Sequence, residues 1–285
     1  MSKLKIAIQK SGRLSEKSLR ILKECGIKLP NGISKLKTEA SNFPIEILFL
    51  RDDDIPQYVE QNVADIGILG ENEVYEKNKK VEIVANLGFA KCRLSLAIPK
   101  GDQYSGLAYF NNKKIATSYP KILSDFLKRN NIKANIEDIG GSVEIAPGIG
   151  LADAICDIVS SGSTLLTNGL KEVENILNSE AVIISNKNLS KEKEVILSQL
   201  LFRIKAVQAA SANKYILLNA PNEAIKAISR ILPGMKSPTV LPLAEKGWSS
   251  LHSVVKEDDF WEIIEQLKKL GAQGILVSPI EKMII

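Results

Sequence analysis

Residues 144–165 read EIAPGIGLADAICDIVSSGSTL, a stretch that predicts a strand, a loop and the start of a helix. The apolar residues within Ala154–Val159 suit a buried strand, and Leu165 and Leu166 suit the first turn of a helix. The loop between them consists of small residues: Ser160, Ser161, Gly162, Ser163 and Thr164. Because the N–H groups at a helix N-terminus attract anions, the stretch predicts a site for a sugar phosphate.

Acidic residues surround this predicted strand. Asp153 and Asp157 are expected to lie beside the phosphate loop, where carboxylates accept hydrogen bonds from ribose hydroxyls or hold Mg²⁺ through water. Glu144 joins them in a candidate acid cluster. The alternative interpretation is that these acids are ordinary surface charge on helices.

The composition is that of a globular protein. Its 285 residues, 45% of them hydrophobic, are enough for two or three domains. No run reaches the roughly 18 to 20 apolar residues that a membrane helix needs, and the N-terminus lacks a signal-peptide core. We therefore expect a cytoplasmic protein with no membrane partner. The net charge of +5 is spread along the chain, which fits polyphosphate substrates and argues against nucleic-acid binding.

Strands alternate with helices through the first two thirds of the chain. Residues 4–8 predict a strand, and apolar residues at helical spacing predict a helix from Leu14 to Cys25. Further strands are predicted at Ile45–Leu50 and Asp65–Leu69, with a helix between them that Asp54 caps. This order predicts an α/β fold with a mostly parallel, wound sheet, which binds ligands at the carboxyl ends of its strands.

Two lobes and a third region are predicted. The polar stretch 101–114 is the expected crossing into a second lobe, so the first lobe comprises residues 1–100 with 181–212 and the second residues 101–180. Residues 213–285 show a βαββαβ order, which is the ferredoxin-like pattern. In its last helix, Asp258 or Asp259 is the expected cap, and Trp261 is expected on the buried face.

Cations follow two of the predicted strands. Lys10 and Arg13 lie just beyond the first strand, where an arginine binds phosphate oxygens through two N–H groups and a lysine supplies a point charge. Arg51 and Asp52 follow the second strand and are expected to face substrates. The alternatives are a solvated turn at Lys10 and, for the acids after Arg51, charge that the helix dipole favours.

Two further positions are candidates for contact with a nucleotide. Gly70 ends a strand directly before Glu71, which allows a ligand to approach the backbone closely. Tyr119 lies between a strand and a helix, where it can stack on a base. The alternative for Tyr119 is ordinary capping before Pro120. Since the only histidine is His252, in the C-terminal region, catalysis is expected to depend on positioning and electrostatics.

The same residues resemble the signature of the ATP phosphoribosyltransferase family. The matching positions are Glu144, Gly150, Ala152, Ile155, Asp157, Ile158, Ser161, Gly162, Thr164 and Leu165. Residues 6–29, 51–76 and 113–123 resemble the same family, and residues from about 213 onward resemble the regulatory domain of its long form. The resemblance covers nearly the whole chain.

This resemblance implies a fold, a reaction and partners. It implies two lobes like those of periplasmic binding proteins, a ferredoxin-like regulatory domain, and a homo-oligomer that ranges from dimer to hexamer. The implied reaction transfers phosphoribosyl from 5-phosphoribosyl 1-diphosphate to N1 of the ATP adenine, with Mg²⁺, as the first step of histidine biosynthesis. L-Histidine is the implied feedback inhibitor.

Roles for individual residues follow from the resemblance together with their positions. The phosphoribosyl group is expected at Asp153, Asp157 and Ser160–Thr164, and ATP at Arg13, Glu71 and Tyr119. The remaining assignments are Lys10, Arg13, Arg51 and Glu144 in catalysis, Asp153 and Asp157 near the metal, and Ser237, Thr239, Leu241 and Ala272 in histidine binding.

Two other functions stay open at the level of sequence. A solute-binding or sensor protein has the same two-lobed fold without chemistry, and it would bind both substrates without releasing pyrophosphate. A phosphoribosyltransferase with another base as acceptor is the second alternative, which a comparison of ATP with free bases would distinguish.

Overall fold

A computed structural model describes residues 2–30 and 36–284 of the chain. The chain divides after Leu197 into two compact units, and the short segment Glu24–Gly26 belongs to the second of them. Within the described ranges, no helix has both the length and the apolar character needed to cross a membrane.

Strands and helices follow one another through the described part of the first 99 residues. Their elements are β1 (Leu4–Gln9), α1 (Arg13–Glu24), β2 (Lys37–Glu39), β3 (Ile45–Leu50), α2 (Ile55–Glu60), β4 (Ile66–Gly70), α3 (Glu71–Lys77), β5 (Val81–Asn86) and β6 (Cys92–Pro99). The middle of the chain continues the alternation. Its elements are β7 (Lys114–Thr117), α4 (Pro120–Arg129), β8 (Asn135–Asp138), β9 (Ala154–Val159), α5 (Ser163–Thr167), β10 (Leu170–Ser179), β11 (Ala181–Asn186) and α6 (Lys191–Ser211).

A six-stranded sheet forms the first lobe, in the order β2-β3-β1-β4-β11-β5. Its central strands β3, β1 and β4 are parallel, and β11 returns antiparallel to β4. Ile6, Ile8 and Ile47 are fully buried, because parallel strands are covered on both faces. The return of residues 181–184 into this sheet is confirmed, but the sheet is mixed rather than mostly parallel, because β2, β11 and β5 are joined to it by antiparallel pairings.

A five-stranded sheet forms the second lobe, in the order β10-β6-β9-β7-β8. Its membership corrects the predicted lobe boundary, because β6 pairs with β9 and β10 rather than with the first sheet. The chain therefore crosses between the lobes near residues 87–91, not in the stretch 101–114. An apolar strand such as β6 suits the interior of either sheet, so the boundary depends on partners that are distant in sequence.

The second unit contains a four-stranded sheet with two helices. Its elements are β12 (Asn213–Pro221), α7 (Ile225–Ile231), β13 (Thr239–Pro242), β14 (Trp248–Lys256), α8 (Phe260–Lys269) and β15 (Gln273–Pro279). The antiparallel order β13-β14-β12-β15 is that of a ferredoxin-like fold, as the sequence predicts. Leu218, Leu251 and Leu267 lie in its buried core.

Local predictions in this fold need three corrections. Asp54 and Asp259 are the N-cap residues of α2 and α8, yet among the described residues neither side chain makes a capping hydrogen bond. Trp261 is 77% exposed rather than buried, because α8 turns Leu267 and not Trp261 towards the sheet. The first lobe is also predicted to extend to residue 212, whereas the two units divide after Leu197, within α6.

Candidate active site

The parallel strands of the first lobe bring the predicted cations to one edge of the sheet. β1 is parallel to both β3 and β4, so the residues that follow these strands leave the sheet on the same side. The N–H group of Lys10 donates to the carbonyl of Leu50 at 2.8 Å, which places Lys10 beside Arg51. Arg13 begins α1 after Gly12, whose φ of +95° is left-handed. All three cations are exposed.

The second lobe presents its own carboxyl edge. β7 is parallel to β8 and β9, so Tyr119, Glu144 and the loop from Ser160 to Thr164 follow strands that end on the same side. The hydroxyl of Ser118 donates to the carbonyl of Ile139 at 2.7 Å and joins two of these connections. The sequence prediction of a strand–loop–helix at this edge is confirmed by β9 and α5.

Hydrogen bonds join the two carboxyl edges. Asn72, directly after β4, donates through Nδ2 to the hydroxyl of Tyr119 at 3.3 Å. The carboxylate of Glu76 on α3 accepts the N–H groups of Lys121 and Ile122 in the first turn of α4, each at 3.0 Å. The strand ends of both lobes therefore face one cleft, where open α/β sheets bind ligands.

The small-residue loop has the backbone of an anion site. Gly162 is left-handed with φ +80°, and a Cβ added at this position would have only Val159 within 4 Å, so the space above the loop is open. The hydroxyls of Ser161 and Ser163 lie 3.0 Å apart, and Thr164 is exposed. The N–H group of Ser163 donates to the Ser161 hydroxyl at 3.4 Å, and the other N–H groups at the start of α5, which have no partner within the helix, are placed to bind an anion.

Asp157 is the acid of β9 that lies close to this loop. Burial raises its pKa, the N–H of Ile158 opposes that change by donating to the carboxylate at 2.7 Å, and the charge of Glu144 raises the pKa further. Glu144 therefore lies near Asp157, as the predicted acid cluster requires. Together they bring negative charge close to the place where a sugar would be bound.

Asp153 does not belong to that cluster. It precedes β9, whereas the loop follows β9, and a strand advances about 3.3 Å per residue, so Asp153 lies about 23 Å from Ser160. Its carboxylate instead accepts the N–H of Lys114 at 2.8 Å, at the start of β7. We therefore assign Asp153 to the pairing of β7 with β9, not to the sugar or the metal.

The sequence interpretation missed a buried acid beside Tyr119. Glu73 in the first turn of α3 is only 8% exposed, and it accepts the side-chain N–H of Asn72 at 3.1 Å. Burial raises the pKa of Glu73 to about 7, the Asp52 carboxylate adds to that rise, and Lys77 and the nearby Tyr119 oppose it. Burial also raises the pKa of Tyr119, as do the charges of Glu73 and Asp157.

Glu71 is oriented differently from what the sequence predicts. Glu71 accepts the hydroxyl of Tyr75 at 2.8 Å and lines a pocket with Cys92 and Glu180. The carboxylate that is linked to Tyr119, through the side chain of Asn72, is that of Glu73. The guanidinium of Arg51 is 80% exposed and donates to Asp53 at 3.2 Å. The only sequence signal for Glu73 is its position three residues beyond Gly70, and nearby acids share that signal.

The structure does not provide the predicted two-carboxylate metal site. Asp153 and Asp157 are separated along β9 by about 13 Å, at about 3.3 Å per residue. Among residues 2–30 and 36–284, no group of at least three His, Cys, Asp or Glu side chains is arranged to hold a metal ion. The acids that lie together near the loop are Asp157 and Glu144.

The residues predicted to bind histidine lie on two different edges of the four-stranded sheet. Ser237, Thr239 and Leu241 are exposed on or before β13. Ala272 is buried in the core and precedes β15, which is the opposite edge strand. With strands about 4.8 Å apart, the two edges are about 14 Å from each other, so Ala272 does not adjoin the other three within this chain.

Comparison with known proteins agrees with this architecture. Residues 51–206 match the HisG family, described as ATP phosphoribosyltransferase, and residues 210–282 match the HisG C-terminal domain. The ATP phosphoribosyltransferase of Cytophaga hutchinsonii is 62% identical over 281 residues, which cover 99% of this chain and 98% of the relative. That of Phocaeicola vulgatus is 61% identical over 282 residues, covering 99% of this chain and 100% of the relative.

Solved structures show the same likeness. The ATP phosphoribosyl transferase (HisG:HisZ) complex from Thermotoga maritima contains a chain that is 31% identical with a TM-score of 0.61, and the match covers 71% of this chain and 98% of that chain. A periplasmic sulfonate-binding protein from Methylobacillus flagellatus is 14% identical with a TM-score of 0.52, covers 74% of this chain and 69% of that chain, and so supports the two-lobed fold alone. The chain belongs to the ATP phosphoribosyltransferase family, the transferases that begin histidine biosynthesis.

Proposed function

We propose that the cleft between the two sheets of the first unit is where this enzyme transfers phosphoribosyl to ATP. The reaction joins C1 of 5-phosphoribosyl 1-diphosphate to N1 of the adenine ring and releases pyrophosphate. The site assignment rests on the hydrogen bond between Asn72 and Tyr119. This bond joins the carboxyl edges of the two sheets, next to the loop that ends at Thr164. The assay that tests it is the release of pyrophosphate from the two substrates.

The donor is assigned to the second lobe. Its 5-phosphate lies against the loop of residues 160–164, where N–H groups and hydroxyls converge on an open space. Its ribose hydroxyls donate to Asp157, whose burial excludes water from the contact. The negative charge of Asp157 and Glu144 stabilises the positive charge that develops at C1 as pyrophosphate leaves.

The acceptor is assigned to the facing edge of the first lobe. The charges of Glu73 and Asp157 both raise the pKa of Tyr119, so Tyr119 is near both acids and a base beside its ring is close to the donor sugar. Arg13 at the start of α1 is the cation available for the nucleotide on this edge. In this assignment Asn72 and Glu73 take the place that Glu71 has in the sequence prediction.

The leaving pyrophosphate is assigned to Lys10 and Arg51. Both are exposed cations at neighbouring strand ends, and Arg51 has only Asp53 as an ion-pair partner among its described contacts. Cations at this position neutralise charge that grows as the bond to C1 breaks.

The oxygen ligands near the loop suit Mg²⁺ that arrives with the donor. Mg²⁺ keeps several waters and binds through one or two carboxylates together with substrate phosphates, and Asp157 with Glu144 supplies such a pair. When bound, Mg²⁺ offsets the charge of the pyrophosphate. We expect a cytoplasmic enzyme, because ATP and 5-phosphoribosyl 1-diphosphate are cytoplasmic metabolites.

Thr164→Ala is expected to weaken donor binding without affecting ATP. The exposed Thr164 hydroxyl is lost, and a hydrogen bond to a charged phosphate is worth roughly 1.5 to 3 kcal/mol, or about 10- to 150-fold in affinity. Calorimetric titration with 5-phosphoribosyl 1-diphosphate measures the change. Thr167→Ala, at the other end of α5, is the matched control, and equal affinities for the two variants would contradict the assignment.

We further propose that the ferredoxin-like sheet receives L-histidine as a feedback inhibitor and that the enzyme assembles into dimers and hexamers. The exposed edge strand β13 supports a ligand site, because Ser237 and Thr239 present hydroxyls at its start. Inhibition requires that histidine bind a less active state more tightly than the active one.

Thr239→Ala is expected to raise the histidine concentration needed for half inhibition. The loss of one neutral hydrogen bond, worth about 0.5 to 1.5 kcal/mol, corresponds to a change of about 2- to 13-fold. Ser278→Ala on the opposite edge strand β15 is the control. If the histidine inhibition curves of both variants coincide with that of the unchanged enzyme, β13 is not part of the histidine-binding site.

A further inference from the structure

An arginine on β6 is hydrogen-bonded to the loop that precedes α5. In the register of β6 with β9, Arg93 lies opposite Val159, the last residue of β9, so it is beside the start of the loop of residues 160–164. Its Nη1 group donates to the carbonyl oxygen of Ser160 at 3.4 Å. The guanidinium of Arg93 therefore reaches the loop from the neighbouring strand.

An ion pair with β10 fixes the orientation of this guanidinium. Nε and Nη2 of Arg93 each donate to one carboxylate oxygen of Glu172 at 2.5 Å, which is a paired contact. The hydroxyl of Ser95, which is fully buried, donates to the same carboxylate at 2.8 Å. The hydrogen bond from Arg93 lowers the pKa of Glu172, so the carboxylate is ionised at neutral pH. Because Glu172 holds the guanidinium at two points, Arg93 loses little freedom on bonding to Ser160.

The bond to Ser160 sets the direction of a peptide group in the loop. The described residues contain no cis peptide bond, and in a trans peptide group the C=O and the N–H point in opposite directions. A Ser160 carbonyl that faces Arg93 therefore directs the N–H of Ser161 away from Arg93. Within residues 2–30 and 36–284, this N–H donates to no other group. It is therefore available to an anion at the loop.

We propose that Arg93 is a positioning residue for the donor phosphate: held by Glu172, it fixes the peptide group between Ser160 and Ser161 so that the Ser161 N–H donates to the 5-phosphate. A donor that is already oriented binds the phosphate without the cost of turning the peptide group. This inference rests on the proposed placement of the 5-phosphate at residues 160–164.

The alternative role for Arg93 is only to join β6 to β10 through Glu172. R93K distinguishes the two roles, because it keeps a cation opposite Glu172. An ammonium lacks the rigid fork of a guanidinium, so it cannot hold both oxygens of Glu172 and also orient the carbonyl of Ser160. A purely structural role would change the thermal unfolding midpoint without changing the affinity for one substrate selectively.

The test is calorimetric titration of the full chain and of R93K with ribose 5-phosphate, which carries the 5-phosphate but no pyrophosphate. R93K is expected to lower this affinity by about 10- to 100-fold, the range for one hydrogen bond to a charged group. The affinity for 5-phosphoribosyl 1-diphosphate should fall by the same factor, and the affinity for ATP should be unchanged. In steady-state kinetics, KM for the donor should rise more than kcat falls.

Two further variants complete the test. E172Q keeps Arg93 but replaces one accepting oxygen with an NH₂ group, so the guanidinium loses its paired contact and the affinity for ribose 5-phosphate should fall as well. K114A is the matched control, because Lys114 forms an ion pair with Glu137 at 3.8 Å in the same sheet, at the start of β7. Its affinity for ribose 5-phosphate should equal that of the unchanged enzyme.

Two results would overturn the inference. One is an R93K or E172Q protein that is folded and binds ribose 5-phosphate as tightly as the unchanged enzyme. The other is an equal loss of affinity for ATP and for ribose 5-phosphate, which would make the ion pair a structural contact. Thr164→Ala separates this failure from that of the proposed donor site: if Thr164→Ala weakens donor binding and R93K does not, only the role of Arg93 is wrong.

Discussion

Gly162→Val is expected to abolish measurable turnover while the protein stays folded. Gly162 has a left-handed backbone with φ +80°, a conformation that costs a branched residue about 1 to 3 kcal/mol. Relief of that strain would rotate the N–H groups away from the phosphate, and the added methyl groups would enter the open space above the loop. Loss of even one preorganised hydrogen-bond donor typically lowers a catalytic rate by about 10²- to 10³-fold.

The control for this variant is Gly169→Val. Gly169 also has a left-handed backbone, with φ +70°, and it too has open space where a Cβ would lie, but it follows α5 rather than preceding it. The two variants therefore share the backbone strain and differ in their distance from the phosphate loop. The midpoint temperature of thermal unfolding should fall similarly in both variants. The affinity for 5-phosphoribosyl 1-diphosphate, measured by calorimetry, should fall only in Gly162→Val. Unchanged donor affinity in Gly162→Val would remove the loop from the site.

Arg13→Ala is expected to lower ATP affinity and turnover together. Arg13 is exposed at the start of α1, beside the strand ends that carry Lys10 and Arg51. A guanidinium that makes two charge-assisted hydrogen bonds to a phosphate contributes about 3 kcal/mol or more, which is a change of about 150-fold. Arg13→Lys should recover only part of the lost ATP affinity, because an ammonium cannot form the two parallel hydrogen bonds that a guanidinium makes to a phosphate.

Lys17→Ala is the matched control for Arg13→Ala. It removes one exposed cation from the same helix, one turn further from the strand end. Steady-state kinetics with ATP as the varied substrate should show a loss for Arg13→Ala and near-normal values for Lys17→Ala. If ATP affinity and turnover survive the loss of Arg13, the segment from Lys10 to Arg13 is only a surface turn.

The alternating elements of the fold could be predicted from local patterns. The βα units of the first lobe, helix α4 and the βαββαβ order of the second unit follow from apolar periodicity and from glycine and proline at element ends. The lobe boundary could not be predicted in this way. β6 joins the second sheet through Arg93 and Leu94 pairing with Val159 and Ile158, partners more than 60 residues away.

The residues of the candidate site could be predicted where they lie directly after a strand. The loop after β9 and the cations after β1 and β3 are of this kind. Asp153 was predicted to lie beside the loop because the two are close in sequence. The prediction is wrong because β9 lies between them and separates them by its whole length. Glu73 was missed because its burial results from the packing of α3 against the second lobe, and an acid in a first helical turn ordinarily indicates only a favourable dipole interaction.

The most direct test of the account is a pyrophosphate-release assay on the purified full chain with ATP, 5-phosphoribosyl 1-diphosphate and Mg²⁺. The account predicts that one pyrophosphate is released for each phosphoribosyl-ATP formed, that either substrate alone gives none, and that adenine cannot replace ATP. Tight binding of both substrates with no pyrophosphate released, or release that proceeds equally with free adenine, would contradict it.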